Sequence, residues 1–165
     1  MPTEIFQKDV LLFRMSWWAL FLVKNCHAIL LDMHTRKTIV THHAPDLDAV
    51  GSVWMLKRFD AQHYADARVL FVDPGQTLSE FEAREKDVSL EDVIHVDTGL
   101  GEFDHHQPDR GSRDICATSL VYDHVCKIHP DLKNDEALKE LVAFITEIDH
   151  FGEIYWPESG DTRYV

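Results

Sequence analysis

The amino-acid sequence predicts an α/β domain built on an open, mainly parallel sheet flanked by helices on both faces. Two observations predict it. Short β-branched runs, Thr38 to His42, Arg68 to Val72 and a run starting at Val93, alternate with stretches whose apolar residues recur at helical spacing. Strand–helix–strand units with right-handed crossovers produce that alternation. Two of the runs also end in clusters of carboxylates and imidazoles, His42-His43-Ala44-Pro45-Asp46-Leu47-Asp48 and the stretch from Asp97 to Asp104-His105-His106. Open α/β sheets bind ligands in the crevice beyond the carboxyl ends of their strands. Two such clusters at two strand ends imply one metal site.

The elements follow in order. From Val10 to Val23 the chain is mostly apolar, but Arg14 interrupts it and it is shorter than the roughly 20 residues a membrane-spanning helix needs. Glu4 and Asp9 offset Lys8 ahead of it, and no small-residue cleavage site follows, so it does not read as a signal peptide. Residues 1–32 read as an apolar N-terminal extension or packing helix, and residues 33–165 as the metal-binding α/β domain, with Met33 an alternative start. The strand Thr38–His42 leads into a helix starting near Asp48, with Ala49, Val50, Val53, Trp54 and Leu56 as its apolar face. Gly51-Ser52 in its first turn would let another backbone or a phosphate approach closely. Arg68–Val72 is a second strand closed by the turn Asp73-Pro74-Gly75, and Leu78–Lys86 a short helix. The strand at Val93 reads as buried and parallel, and Gln107 to Asp114 as a polar loop. Ala117–His129 is a helix stopped by Pro130. A last helix, with Asn134 or Asp135 as N-cap, carries Leu138, Leu141, Val142, Ile145 and Ile148 inward and delivers Asp149 and His150.

Composition bounds the function. At 165 residues the chain can bury a core without a structural metal, so a bound metal would serve chemistry. A hydrophobic content of 45% and a charged content of 27% are those of a globular protein, with no repeat and no linker tract. The formal net charge of −13 argues against long duplex nucleic acid, whose phosphates need Lys and Arg. Cys26, Cys116 and Cys126 form no C-x-x-C pair and are odd in number, which favours reduced thiols and a cytoplasmic location.

Mixed carboxylate and imidazole donors suit borderline divalent ions such as Mn²⁺, whereas an all-oxygen set would favour Mg²⁺ or Ca²⁺. The clusters offer enough ligands for two ions: carboxylates at Asp46, Asp48, Asp97 and Asp149, and imidazoles at His42 and His105. Two ions roughly 3.5–4 Å apart can hold the attacking and leaving oxygens of a displacement at phosphorus. Asp46 and Asp48 are also well placed as turn and N-cap residues. His27, His34, His63, His95, His124 and His129 read as structural or surface residues.

The ordered set His42-x-x-x-Asp46-x-Asp48-Ala49-x-Gly51-Ser52, Val96-Asp97-Thr98, Asp104-His105-His106 and Asp149 resembles the four motifs of the DHH phosphoesterase superfamily, over about Thr38 to Asp149. The resemblance implies a Rossmann-like three-layer domain and a phosphohydrolase using two Mn²⁺ ions, with Co²⁺, Mg²⁺ or Zn²⁺ as substitutes. His42, Asp46 and Asp97 would hold one ion, and Asp48, Asp97, His105 and Asp149 the other, with Asp97 as the bridge. His106 would face the substrate phosphate, Asp104 would orient a histidine from behind, and Arg110 or Arg113 would meet the phosphate. The family's C-terminal substrate domain, with its Gly-Gly-Gly-His motif, has no counterpart in the sixteen residues after Asp149. The substrate expected is a phosphodiester, phosphoanhydride, small nucleotide or short oligonucleotide. Two rival readings use the same residues: a catalytically idle metal- or nucleotide-binding regulatory module, and an interaction protein that forms a homodimer through its N-terminal helix.

Overall fold

A computed structural model of the chain describes residues 36–111 and 114–152. The N-terminal extension, Met33, Cys26, His27, His34 and Arg113 lie outside the described residues. Strand β1 (Thr38–His42) is followed by α1 (Leu47–Phe59), the short α2 (Ala61–Tyr64), β2 (Arg68–Val72), α3 (Glu80–Glu85), β3 (Val93–His95), α4 (Ala117–Ile128) and α5 (Glu136–Asp149). The three strands pair in parallel in the order β2-β1-β3, with Thr38 opposite Arg68 on one side and Val93 on the other. The open parallel α/β architecture expected from the alternation of strands and helices is therefore present.

The central strand is β1, whose Thr38, Ile39, Val40 and Thr41 are all buried. The run from Val93, expected to be a buried strand, is an edge strand of three half-buried residues, extended only by a bridge between Val96 and Phe103. A middle strand is covered on both faces and paired on both edges, which is why the most β-branched run occupies it. Successive side chains of β1 point to opposite faces. Ile39 meets Met55, Leu56, Val121 and Val125 from α1 and α4, while Val40 meets Val72, Leu78 and Ala83 on the α3 side. Helices thus cover both faces.

Three of the helix starts have a local chemical cause. Asp46 caps α1, its Oδ1 accepting the Ala49 amide at 3.0 Å. Ser79 and Glu82 close a capping box at α3, and Asp135 caps α5 by accepting the Leu138 amide. The α1 face differs from the expectation. Asp48, Gly51, Ser52, Met55 and Leu56 point inward, while Val50 and Trp54 are 51% and 43% exposed. The glycine decides this rotation. A Cβ at Gly51 would stand 2.8 Å from both Ile145 Cδ1 and Thr118 Oγ1, so the hydrogen side chain lets α1 approach α4 and α5 closely. No phosphate is needed to explain that glycine.

The close approach places Asp48 at the start of α4. Its Oδ2 accepts the Ala117 amide at 2.7 Å and its Oδ1 the Thr118 amide at 2.6 Å. A carboxylate on one helix thereby satisfies the unpaired amides at the N-terminus of another, where the helix dipole also favours negative charge. Cys116 and Cys126 are buried free thiols. No helix among the described residues is long and apolar enough to cross a membrane.

Candidate metal centre

The site assembles at the carboxyl end of the sheet. His42 ends β1, Asp97 stands two residues beyond β3, the following loop returns Asp104, His105 and His106, and α5 contributes Asp149 from its last turn. His42 Nδ1–H donates to the carbonyl oxygen of its neighbour His43 at 3.0 Å. In the neutral ring Nε2 is then a bare lone pair. It faces Asp97 Oδ2 at 3.1 Å and Asp46 Oδ2 at 3.9 Å. A lone pair against two carboxylates is repulsive unless a proton or a cation lies between them.

Asp97 is built to face two ways. Its backbone takes a left-handed φ of +53°, and its amide donates to the Phe103 carbonyl at 2.8 Å. A non-glycine residue held there costs on the order of 1–3 kcal/mol and persists only where its surroundings impose it. While Oδ2 faces His42, Oδ1 lies 3.5 Å from His105 Nε2, which in turn lies 3.4 Å from Asp149 Oδ2. Asp97 Oδ1, His105 Nε2 and Asp149 Oδ2 are all buried and none has a hydrogen-bond partner. Native structures rarely leave such groups unsatisfied. Orphaned ligand atoms of this kind fit divalent cations, and three groups could hold one: first His42, Asp46 and Asp97, second Asp97, His105 and His106, and third His105, Asp149 and His150. Asp97 belongs to the first two, with Oδ2 toward His42 and Oδ1 toward His105.

The remaining residues take unequal parts. Asp48, with both oxygens on amides, has Oδ2 3.8 Å from His105 Nε2 and stands at the edge of the second group. His106 completes the second group, and His150, not assigned to the site from the sequence, completes the third. The His150 ring centroid lies 5.8 Å from that of His105. Its position directly after Asp149 was the one sequence signal for it.

Asp104, expected to orient a histidine, is fully buried; its Oδ2 accepts the Leu100 amide, and its Oδ1 accepts both the amide and the Nδ1–H of His106, the latter at 2.7 Å. A carboxylate so occupied cannot touch substrate and acts by positioning His106, whose ring is left 60% exposed. Arg110, expected to meet phosphate, instead spends its Nη1 on the carbonyls of Gly101, Glu102 and Asp104. Gln107 Nε2 donates to the carbonyls of Leu100 and Gly101. These two side chains tie the loop that carries the histidines. A loop without regular pairing leaves its carbonyls seeking donors, and a guanidinium offers several in a fixed fork.

Of the histidines read as structural or surface residues, the four that are described make structural hydrogen bonds. His95 Nε2 accepts the Leu78 amide, His129 Nε2 donates to the Phe59 carbonyl, and His63 and His124 both bond the buried Asp60.

No family model, curated protein or solved structure matches the chain.

Burial, followed by the charge of Asp48, pushes the Asp149 carboxyl up to about 6. Burial also raises Asp97. The Asp97 carboxylate beside His105 raises that imidazole. Burial alone would lower His42, but the His43 carbonyl and the Asp97 and Asp46 carboxylates outweigh it and raise the ring. Burial and neighbouring carboxylates raise the two acids, and hydrogen bonds and neighbouring carboxylates raise the two imidazoles. The site gains by holding positive charge, as protons or as metal ions.

Proposed function

We propose that the chain is a metal-dependent phosphohydrolase of the DHH type, acting on a small phosphoester through two divalent ions bridged by Asp97. The observation that carries the reading is the division of Asp97, with Oδ2 toward His42 and Asp46 and Oδ1 toward His105, whose Nε2 also faces Asp149. The ordered motifs resembling those of the DHH superfamily support it from the sequence. His42, Asp46 and Asp97 would hold one ion; Asp97, His105 and Asp149, with Asp48 beside them, would hold the other. When bound, such ions neutralise phosphoryl charge and lower the pKa of water toward neutrality. Imidazole and carboxylate donors together suit Mn²⁺, with Co²⁺, Zn²⁺ or Mg²⁺ as substitutes.

The chain's own residues supply the rest. His106 Nδ1 is held by the buried Asp104, so its exposed Nε2 can present a proton to a leaving oxygen. Asp104 holds Nδ1–H and so turns Nε2 outward, and the proton given is the one that Nε2 carries in the imidazolium form. The net charge of −13 opposes long polyanions, so a small nucleotide, a phosphoanhydride or a short oligonucleotide is the substrate class.

Calorimetric titration of the metal-stripped chain with Mn²⁺, beside hydrolysis of bis(p-nitrophenyl) phosphate, tests the reading. Two ions per chain and Mn²⁺-dependent release of nitrophenol are expected. Uptake without turnover would favour an idle metal-binding module, and no uptake would remove the enzyme reading.

A further inference from the structure

Beside the first ion position lies a pair of aromatic rings that has no part in holding the metal. Phe71, near the end of β2, is 43% exposed, and the exposed His43 ring stacks on it, with ring centroids 6.1 Å apart and planes 24° from parallel. That separation is within the range of offset aromatic pairs. Both rings stand at the carboxyl end of the sheet. Phe71 is in register with Thr41, so it shares the face of the sheet on which Ile39 meets α1. His43 directly follows the ligand His42, and its backbone is held twice. Its amide donates to the Val72 carbonyl at 2.7 Å, and its carbonyl accepts His42 Nδ1–H at 3.0 Å. A single exposed Phe needs no explanation. A ring pair fixed one residue from a metal ligand is placed to meet whatever that metal holds.

The first ion position opens on the same side. Of its three ligands, the His42 and Asp97 side chains are 12% and 2% exposed, whereas that of Asp46 is 57% exposed. Solvent therefore reaches the position past Asp46, in the turn between β1 and α1 that begins with His43. Leu47, the first residue of α1 and 40% exposed, adds an apolar group next to Asp46. Charge then selects what can lie there. Neither Thr38–Leu56 nor Val69–Ala83 contains a lysine or an arginine. A second phosphoryl group would find no cation on these segments, whereas the flat face of an uncharged ring finds a ring pair to stack on.

We infer that Phe71 and His43 form the surface on which a flat ring of the substrate stacks while its phosphate lies at the first ion position. The inference rests on the phosphohydrolase reading above and narrows its substrate to phosphoesters that carry an aromatic or heteroaromatic group, at the expense of a bare phosphoanhydride. Consecutive Cα atoms are about 3.8 Å apart, so the step from His42 to His43 is within the span of a small molecule. Phe71 is thereby a determinant of specificity that touches neither the metal nor the reacting atoms.

The test is binding, with probes whose carbon–phosphorus bond is not cleaved. The full chain loaded with Mn²⁺ is titrated with ethylphosphonate and with 2-phenylethylphosphonate, which differ by the ring alone, as wild type, Phe71→Leu and Phe71→Trp. Leucine keeps an apolar side chain without the flat face, and tryptophan enlarges that face; at an exposed position neither enters the core. Wild type should bind the phenyl probe about tenfold more tightly than the ethyl probe, the usual order of worth of one stacked ring. Phe71→Leu should lose that preference and Phe71→Trp should keep or increase it, with ethylphosphonate affinity, the control for folding, unchanged in both. No preference in wild type, or a preference that Phe71→Leu leaves intact, would overturn the ring surface and leave the phosphate site standing. A Phe71→Leu change confined to the oligomeric state, read by light scattering, would assign the rings to a second copy of the chain and overturn it equally. If the Mn²⁺-loaded wild type binds neither phosphonate, the phosphohydrolase reading falls, and this inference with it.

Discussion

Asp97 Oδ1 and His105 Nε2 face each other across 3.5 Å, both buried and neither with a hydrogen-bond partner. A gap of that length is too wide for a good hydrogen bond and suits two ligands of one ion. Asp97→Asn should therefore weaken Mn²⁺ binding at both positions, whereas His42→Ala should weaken one and leave the other. Metal at about 100 times its Kd stabilises a folded chain by about 2.7 kcal/mol. At roughly 2–4 °C per kcal/mol for a chain of this size, wild type should gain about 5–10 °C in Tm. A Tm indifferent to Mn²⁺ would count against the dimetal site.

Proton and metal compete for the same atoms, which sets the pH dependence. Asp149, pushed up to about 6, and Asp97, also raised, hold protons in the folded metal-free chain that the unfolded chain has already lost. His105 and His42, both raised above their usual 6.5, do the same at higher pH. Wherever the folded state binds more protons, stability falls as pH rises. The site's contribution to the metal-free chain's stability should thus fall from about pH 4 upward through the raised histidine values, offset in part by buried His95, whose lowered value acts the other way, and Mn²⁺ should restore it at pH 8. Calorimetry at pH 5 and pH 8, with and without Mn²⁺, checks the sign; a metal-free chain most stable at pH 8 would contradict it.

Arg110 is a positioning residue, through the carbonyls of Gly101, Glu102 and Asp104. Arg110→Ala should lower kcat about 10–100-fold, as loss of such supporting contacts does. Arg110→Lys, lacking the planar fork, should recover only part. The first Mn²⁺, at His42 and Asp46, should bind unchanged, so a uniform loss at both ions would indicate general unfolding instead.

For His106 the expected signature is separation of chemistry from binding. His106→Asn should lower kcat by about 10²–10⁴, the usual worth of a positioned proton donor, with the first Mn²⁺ retained. The loss should shrink for substrates with acidic leaving groups such as p-nitrophenol, which need no protonation. Equal loss for poor and good leaving groups would remove His106 from proton transfer.

Gly51 tests the packing that places Asp48. Gly51→Val would press a branched side chain on Ile145 and Thr118, where even a Cβ stands 2.8 Å from both. Overpacking of this kind costs about 1–3 kcal/mol and should read as a lower urea midpoint at unchanged m-value. A neutral result would show that the α1–α4 contact is looser than its geometry.

Much of this was legible in the sequence because its causes are local. Apolar period marked α4 and α5, Asp46 and Asp135 announced their helices by side-chain reach within one turn, and the β-branched runs marked the strands. The convergence of His42, Asp46, Asp97, His105 and Asp149 was foreshadowed because parallel strands bring their carboxyl ends to one edge. Tertiary structure alone decided what depends on residues far apart in the chain. It made β1 central and β3 an edge, and turned Val50 and Trp54 outward because Gly51 turned inward. It set Asp48 on amides 69 and 70 residues away, occupied Arg110 with carbonyls, and drew His150 beside His105. The physical reason is that periodicity and capping report a chain's energies within a turn or two. The orientation of a carboxylate such as Asp97 is set by every element that closes around it.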